Sequence, residues 1–502
     1  MRQLHPMPVV TLALTVVAAF AARPGEDTAQ SKADQLNDRA NRLAAAGNLN
    51  AAAQTYRQAL QIAPSNAQFH FNLSLVLAGL GDQKGQRQEL ERALELQPKL
   101  APAHNQLGLL AVAEGKAAEA EREFKAAIAA DAKYSEALNN LGVLYSREDR
   151  GSDAVATFRQ AAAADSKSTA AFVNLALALV KQHGFADAEA QLQSMMQADP
   201  NNAAAYMALG VVRTKARRDA DAVSAFRKAV ELEPNSSDAH LNLGMALALA
   251  FDQMGALREF TEAVRLNPDS AGAHLSLGHF DLETGDYNGA RKELETACRL
   301  QPTLEDAFYF LALAERQHNH VERAIELLRR VAALNPRNSD AQFLLGLSLE
   351  QMGKTAEAVD HWKQAVRVDP EQLQALYKLA RTLSATHDPE AQHYHERFVE
   401  LQKRRQITDR IARLRGFALG AGEAQDWPQA IAHLQDAMEA CGTCPAAARL
   451  HKDLAYFYER TWKLEEAEEE LHQAIALDPH DDAAQKGLAM LRSLRTGQPA
   501  TK

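Results

Sequence analysis

Cysteine is nearly absent from this chain, with three in 502 residues. That is too few for the disulfide framework of a small secreted fold; only Cys441 and Cys444, in Cys-Gly-Thr-Cys, lie close enough in sequence to act together. Aromatic residues are also scarce, at 6% against 46% hydrophobic overall, which suits helices rich in Ala and Leu. There is no excess of positive charge (formal net charge −10), which argues against generic nucleic-acid binding. After residue 22 no apolar run reaches the roughly 20 residues that a membrane-crossing helix needs. A P-loop, a Gly-x-Ser-x-Gly, a His-Glu-x-x-His and a complete EF-hand loop are all missing. The expectation is a non-enzymatic chain without cofactor, metal or small-molecule substrate.

What is present is a period. Pro64, Pro98, Pro200, Pro234, Pro268, Pro302, Pro336 and Pro370 fall on one 34-residue grid, interrupted only by Ala132 and Ser166. With the proline at slot 32, slot 7 holds Leu73, Leu107, Leu141, Leu175, Leu209, Leu243, Leu277, Leu311, Leu345 and Leu379. Slot 8 is small (Gly108, Gly142, Ala176, Gly210, Gly244), slot 20 is Ala in every repeat from Ala120 to Ala358, and slot 24 is large (Tyr56, Phe124, Phe158, Phe226, Phe260, Trp362). Gly47, Gly81, Gly115, Gly285 and Gly353 stand at slot 15, where a first helix needs a left-handed residue to end. Proline stops the second helix because it cannot donate the next backbone bond. Each unit is therefore helix A, turn, helix B, turn, and such units bury their faces only by stacking.

This pattern resembles the tetratricopeptide repeat (TPR) family over residues 33–480. The resemblance implies an all-α, right-handed superhelical α-solenoid of about 13 units with a C-terminal capping helix. It also implies a protein or peptide ligand.

The expected organisation follows from the frame. Residues 1–21 read as a signal peptide: Arg2, an apolar run from Val9 to Ala22, and Ala19-Phe20-Ala21 as a cleavage site. The expected location is periplasmic or extracellular; the alternative is a membrane anchor through residues 7–22, the one way the chain would contact a membrane. A linker spans 22–32 and ten regular repeats span 33–372. Residues 373–410 form a degenerate repeat and helical spacer, where the frame slips by four residues. Two further repeats span 411–481, with a second slip at Cys-Gly-Thr-Cys; then come a capping helix, 482–495, and a tail, 496–502. The slips are expected to reorient the C-terminal piece.

Three groups of residues are candidates for function. On helix A, slots 2, 6, 9 and 13 lie opposite the packing stripe. Slot 6 carries Asn72, Gln106, Asn140, Asn174 and Asn242, broken at Ala208 and lost after Ser276. Amides offer donors and an acceptor to the backbone of an extended peptide, and the row resembles the Asn ladder of O-linked N-acetylglucosamine transferases, whose catalytic domain this chain lacks. The alternative is inherited, idle repeat chemistry. Because Ala is the better helix former, Asn-to-Ala changes here are expected to leave stability unchanged or raised. His70, His104, His240 and His274 recur at slot 4, where neighbouring repeats hold flat apolar side chains, so the slot reads as packing. Cys441 and Cys444 read as a local disulfide, with a thiol-disulfide protein as the alternative. Lys403, Arg404, Arg405, Arg410, Arg413 and Arg415 form a basic stretch that reads as a docking patch or a solvated helix face. The leading expectation is an exported interaction scaffold that binds an extended peptide or a partner helix. The alternative is an accessory subunit that recruits substrates for a separate transferase or envelope-assembly complex.

Overall fold

In the computed structural model, residues 28–496 are described. The signal peptide read at 1–21, the start of the linker and the tail beyond 496 lie outside them. The described residues form two compact units, divided between Leu277 and Gly278. Among the described residues there are 26 helices and no strand. Each unit is an α-solenoid in which consecutive A and B helices pack on their chain neighbours.

The local rules explain the helices. In repeat two, Asn66 caps helix A (Ala67–Gly79) by accepting from the Phe69 N–H at 3.2 Å. Asp82 does the same for helix B (Gln83–Leu96), accepting from Gly85 N–H at 2.8 Å. Every slot-15 residue, from Gly47 to Trp462, has positive φ, including Asp149, His183, Arg217, Phe251 and Asn319. The turn geometry is thus fixed by the fold, and glycine is its least strained occupant.

Slots 8 and 24 form the contact between the helices of one repeat. A Cβ on Gly108 would stand 2.5 Å from the Phe124 ring, and one on Gly210 equally close to Phe226. Where slot 8 is Ala, as at Ala176 and Ala312, slot 24 holds the smaller Leu192 and Leu328. Phe124, Phe158 and Trp362 are buried completely or nearly so, each contributing about 1.5–3 kcal/mol through removal from water.

Two boundaries differ from the sequence reading. The first helix spans Thr28–Ala45, so it takes in the end of the expected linker, where nothing in Ala29-Gln30-Ser31-Lys32 stops a helix. Helix B of repeat eleven and helix A of repeat twelve are one continuous 33-residue helix, Ala391–Glu423. A slip of four residues is close to one helical turn of 3.6, so it shifts the register without breaking the backbone ladder. No Gly or Pro stands between Ala391 and Arg415 to interrupt it. Residues 402–410 of this helix are exposed on every side. The capping helix is present as Asp482–Thr496, and its Ala484, Leu488 and Leu491 pack against Leu471 and Ala474 of the last repeat.

Candidate peptide-binding groove

Repeats two to seven, which carry the slot-6 amides, belong to the first unit. Asn72, Gln106, Asn140, Asn174 and Asn242 are all half-buried. Three of them are tied to the preceding repeat. Asn72 Nδ2 donates to Asn37 Oδ1 at 3.0 Å, Asn140 Nδ2 to Asn105 Oδ1 at 3.0 Å, and Asn174 Nδ2 to Asn139 Oδ1 at 2.9 Å. The acceptors occupy slot 5 of the repeat before, so each bond spans a repeat junction. Asn105 is only 2% exposed. Asn242 differs, since its Nδ2 donates within its own helix to the Asp238 carbonyl at 2.8 Å.

These clasps add a second factor to the helix propensity of the slot-6 Asn. At Asn72, Asn140 and Asn174 exchange for Ala removes a bond between repeats, and at Asn140 it leaves the buried Asn105 oxygen without its donor. They do not consume the row: an amide has two N–H groups and an oxygen with two lone pairs, and the clasp uses one N–H. The slot-5 partners were missed by a reading confined to one helix. The signal was present as a second Asn 35 residues before each of the three.

The slot-4 histidines are also more than flat packing residues. His70 Nδ1 lies 2.5 Å from Glu89 Oε2, and its Nε2 lies 3.1 Å from the Pro64 carbonyl. His104 meets Glu123 at 2.8 Å and Pro98 O at 3.1 Å; His240 meets Glu259 at 2.6 Å and Pro234 O at 3.0 Å. His451 faces Glu470 at 2.5 Å. The carboxylate belongs to helix B of the same repeat and the carbonyl to the proline of the repeat before. At His70 and His104 the two acceptors on one ring are both satisfied only by the imidazolium. For His104, the hydrogen bond to Glu123 raises the pKa above the ordinary imidazole value against burial. For His70, burial lowers it, but the bonds to Glu89 and Pro64 together outweigh that and the net direction is upward. The legible signal was a Glu 19 residues after each His.

Cys441 and Cys444 form a disulfide with a Cα separation of 5.0 Å. Cys441 ends helix Trp427–Cys441 and packs with Leu434, Ala437 and Leu450, and Gly442 makes the turn at φ 56°. Burial pushes the third thiol, Cys298, up to about 11, which keeps it protonated and unreactive. The basic stretch is divided. Arg404 pairs with Glu371, Arg405 Nη2 donates to the Glu371 carbonyl at 2.9 Å, and Arg415 pairs with Asp453. Lys403, Arg410 and Arg413 are exposed and carry no ion pair among the described residues. No group of three or more His, Cys, Asp or Glu among the described residues is placed to hold a metal, and no described helix is long and apolar enough to cross a membrane.

Tetratricopeptide-repeat family models match residues 40–81 and 67–100 as single stretches, and a further such model matches 105–169, 173–237, 254–305 and 345–391. A model described as anaphase-promoting complex, cyclosome, subunit 3 matches 283–365. No curated protein matches the chain. Similar solved structures include a tetratricopeptide repeat protein from Parabacteroides merdae, 14% identical, covering 50% of this chain and 98% of its own with TM-score 0.42. The Cut9–Hcn1 hetero-tetramer of the APC/C is 15% identical, covering 92% of this chain and 96% of its own, TM-score 0.36. YrrB, a TPR protein with an unusual peptide-binding site, is 17% identical, covering 37% and 96%, TM-score 0.33. With repeat models matched over more than half its length and their frame realised in the helices, this chain belongs to the tetratricopeptide repeat family.

Proposed function

We propose that the protein is a non-enzymatic, exported scaffold whose slot-6 amides in repeats two to seven bind the main chain of an extended peptide. As a TPR protein it is a protein-interaction scaffold. The observation that carries the finer reading is the half-buried amide row with hydrogen-bonding capacity left over after the clasps. Gln106 has no side-chain hydrogen bond among the described residues, and Asn242 is bonded only within its own helix. Those two are the residues to change, because their loss leaves every repeat junction intact.

The test selects a peptide from a displayed library of unstructured sequences on the full chain and measures its affinity for the Gln106→Ala/Asn242→Ala variant. Each lost backbone-directed bond costs about 0.5–1.5 kcal/mol, so the double variant binds about 5- to 150-fold more weakly with an unchanged melting temperature. Replacing single peptide amides by esters weakens binding by a similar step. A peptide that is indifferent to both changes removes the amide row from the binding site.

Export is tested separately, by N-terminal sequencing of the protein made in its host. The reading expects a start just after Ala21; a start at Met1 supports the anchor through residues 7–22. In an oxidising compartment the Cys441–Cys444 bond is structural. A thiol-disulfide role is disfavoured because Cys441 sits at a helix C-terminus, where the dipole opposes a thiolate. Insulin-reduction activity lost in a double Cys variant would restore that role.

A further inference from the structure

Past Ser276 the amide row gives way to a different surface, within the second unit. In helix A of repeat nine (Glu305–Gln317) slots 5, 6 and 9 hold Tyr309, Phe310 and Leu313. In repeat ten (Ser339–Gln351) they hold Phe343, Leu344 and Leu347, and in repeat eleven (Leu373–Ala385) Tyr377 continues the stripe. Tyr377 is 44% exposed and the others are half-buried. The Tyr377 and Phe398 rings stand 5.5 Å apart, and with Phe343 and Leu347 they line an open groove of about 340 Å³. In a chain so poor in aromatics, this concentration on one stripe is a composition shift; of these rings Phe310 stacks on His279 of the preceding repeat, centroids 4.0 Å apart.

Charged residues lie on the same slots: Arg316 and Glu350 at slot 12, Lys378 at slot 6 and Arg381 at slot 9. Arg316, at slot 12, is seven residues after Tyr309 and three after Leu313, which places all three on one side of the helix. It is half-buried, and burial holds its guanidinium below the usual arginine range. No carboxylate among the described residues pairs with it. Lys378, by contrast, is already paired with Glu350 at 2.5 Å.

We propose that repeats nine to eleven form a second docking section that takes an amphipathic helix from a protein partner, its apolar face on the Tyr309–Tyr377 stripe and an acidic side chain on Arg316. The choice of helix follows from what the stripe lacks. Slot 6 here is Phe310, Leu344 and Lys378, so no amide row is available to satisfy an extended peptide's backbone. Polar backbone groups pressed against this surface would go unpaired, at a cost of about 1–3 kcal/mol each. A helix satisfies its own backbone and presents apolar side chains at i, i+4 and i+7. The acid follows from charge complementarity, since an unpaired, partly desolvated guanidinium gains most from a carboxylate. This section is independent of the amide row in the first unit.

The test uses the full chain and labelled helical peptides of defined design. One has Leu at i, i+4, i+7 and i+11 with flanking Glu; a second has Gln for Glu; a third carries a central Pro. The Glu peptide is expected to bind about tenfold more tightly than the Gln peptide. Arg316→Gln should erase that preference, and Tyr377→Ser should weaken both, while Gln106→Ala/Asn242→Ala changes neither. The Pro peptide should bind at least about tenfold more weakly. Equal binding by the Pro peptide overturns the proposal. So does a Glu preference that survives Arg316→Gln, or no binding by any helix up to about 1 mM. Self-association that Tyr377→Ser abolishes would assign the stripe to a second copy and also overturn it.

Discussion

Changing Asn140 to Ala tests the clasp between repeats three and four. The change deletes the 3.0 Å bond to Asn105 Oδ1 and leaves that oxygen without its donor on a residue only 2% exposed. An unsatisfied buried polar group costs about 1–3 kcal/mol. The better helix propensity of Ala returns at most about 0.7 kcal/mol. The net expectation is a loss of about 0.5–2 kcal/mol, opposite in sign to what propensity alone gives. Because a repeat array can unfold in parts, the readout is native-state hydrogen exchange in helices Ala101–Ala113 and Ser135–Arg147 as well as urea denaturation. A double-mutant cycle with Asn105→Ala should return a coupling of about 0.5–1.5 kcal/mol. Asn242→Ala is the internal control: its side chain bonds only its own helix, so stability should hold or rise. If Asn140→Ala is as stable as the parent and the coupling is zero, the clasp contributes nothing and the reasoning fails.

The His latches predict that stability falls as pH rises. His70 and His104 hold protons more tightly folded than unfolded, so their contribution is complete below the unfolded value of about 6.5 and drains away as pH passes through the raised folded values. Melting temperature followed from pH 6 upward should show this slope, and His70→Gln/His104→Gln should flatten it. Gly108→Ala should destabilise by about 1–3 kcal/mol through the clash with Phe124. Adding Phe124→Leu should recover part of that loss, since Ala176 with Leu192 is the same pairing in repeat five; urea midpoints decide. Phe251 is 90% exposed and held at φ 63°, so Phe251→Gly should stabilise by about 1 kcal/mol in the same assay. Loss of both Cys441 and Cys444 should lower stability only modestly, because the loop they close is very short; free thiols at both positions in native protein would refute the bond.

The repeat frame was legible because its determinants are local and repeated. Slot 15 ends a helix, slot 32 stops one, and slots 8 and 24 must fit each other, so one 34-residue unit tells most of the story. The parts that were not legible depend on two repeats at once. Asn140 reads as a groove residue until helix A of the preceding repeat brings Asn105 within 3.0 Å. His104 reads as packing until Glu123 and the Pro98 carbonyl converge on it. The fused helix was hidden for another reason: a four-residue insertion looks like a broken frame in sequence but is almost a whole turn in space.

That helix bears on how stability is shared along the second unit. In a stacked array, each repeat borrows order from its neighbour through a packed interface. Residues 402–410 present no such interface; they are bare on all sides, with Arg404 and Arg405 reaching Glu371 as their tethers among the described residues. Unfolding can therefore halt there rather than propagate. Repeats twelve and thirteen with their cap become a separate cooperative block, joined to the repeats before them by one helical rod that a protease specific for Lys and Arg can cut at 403–405.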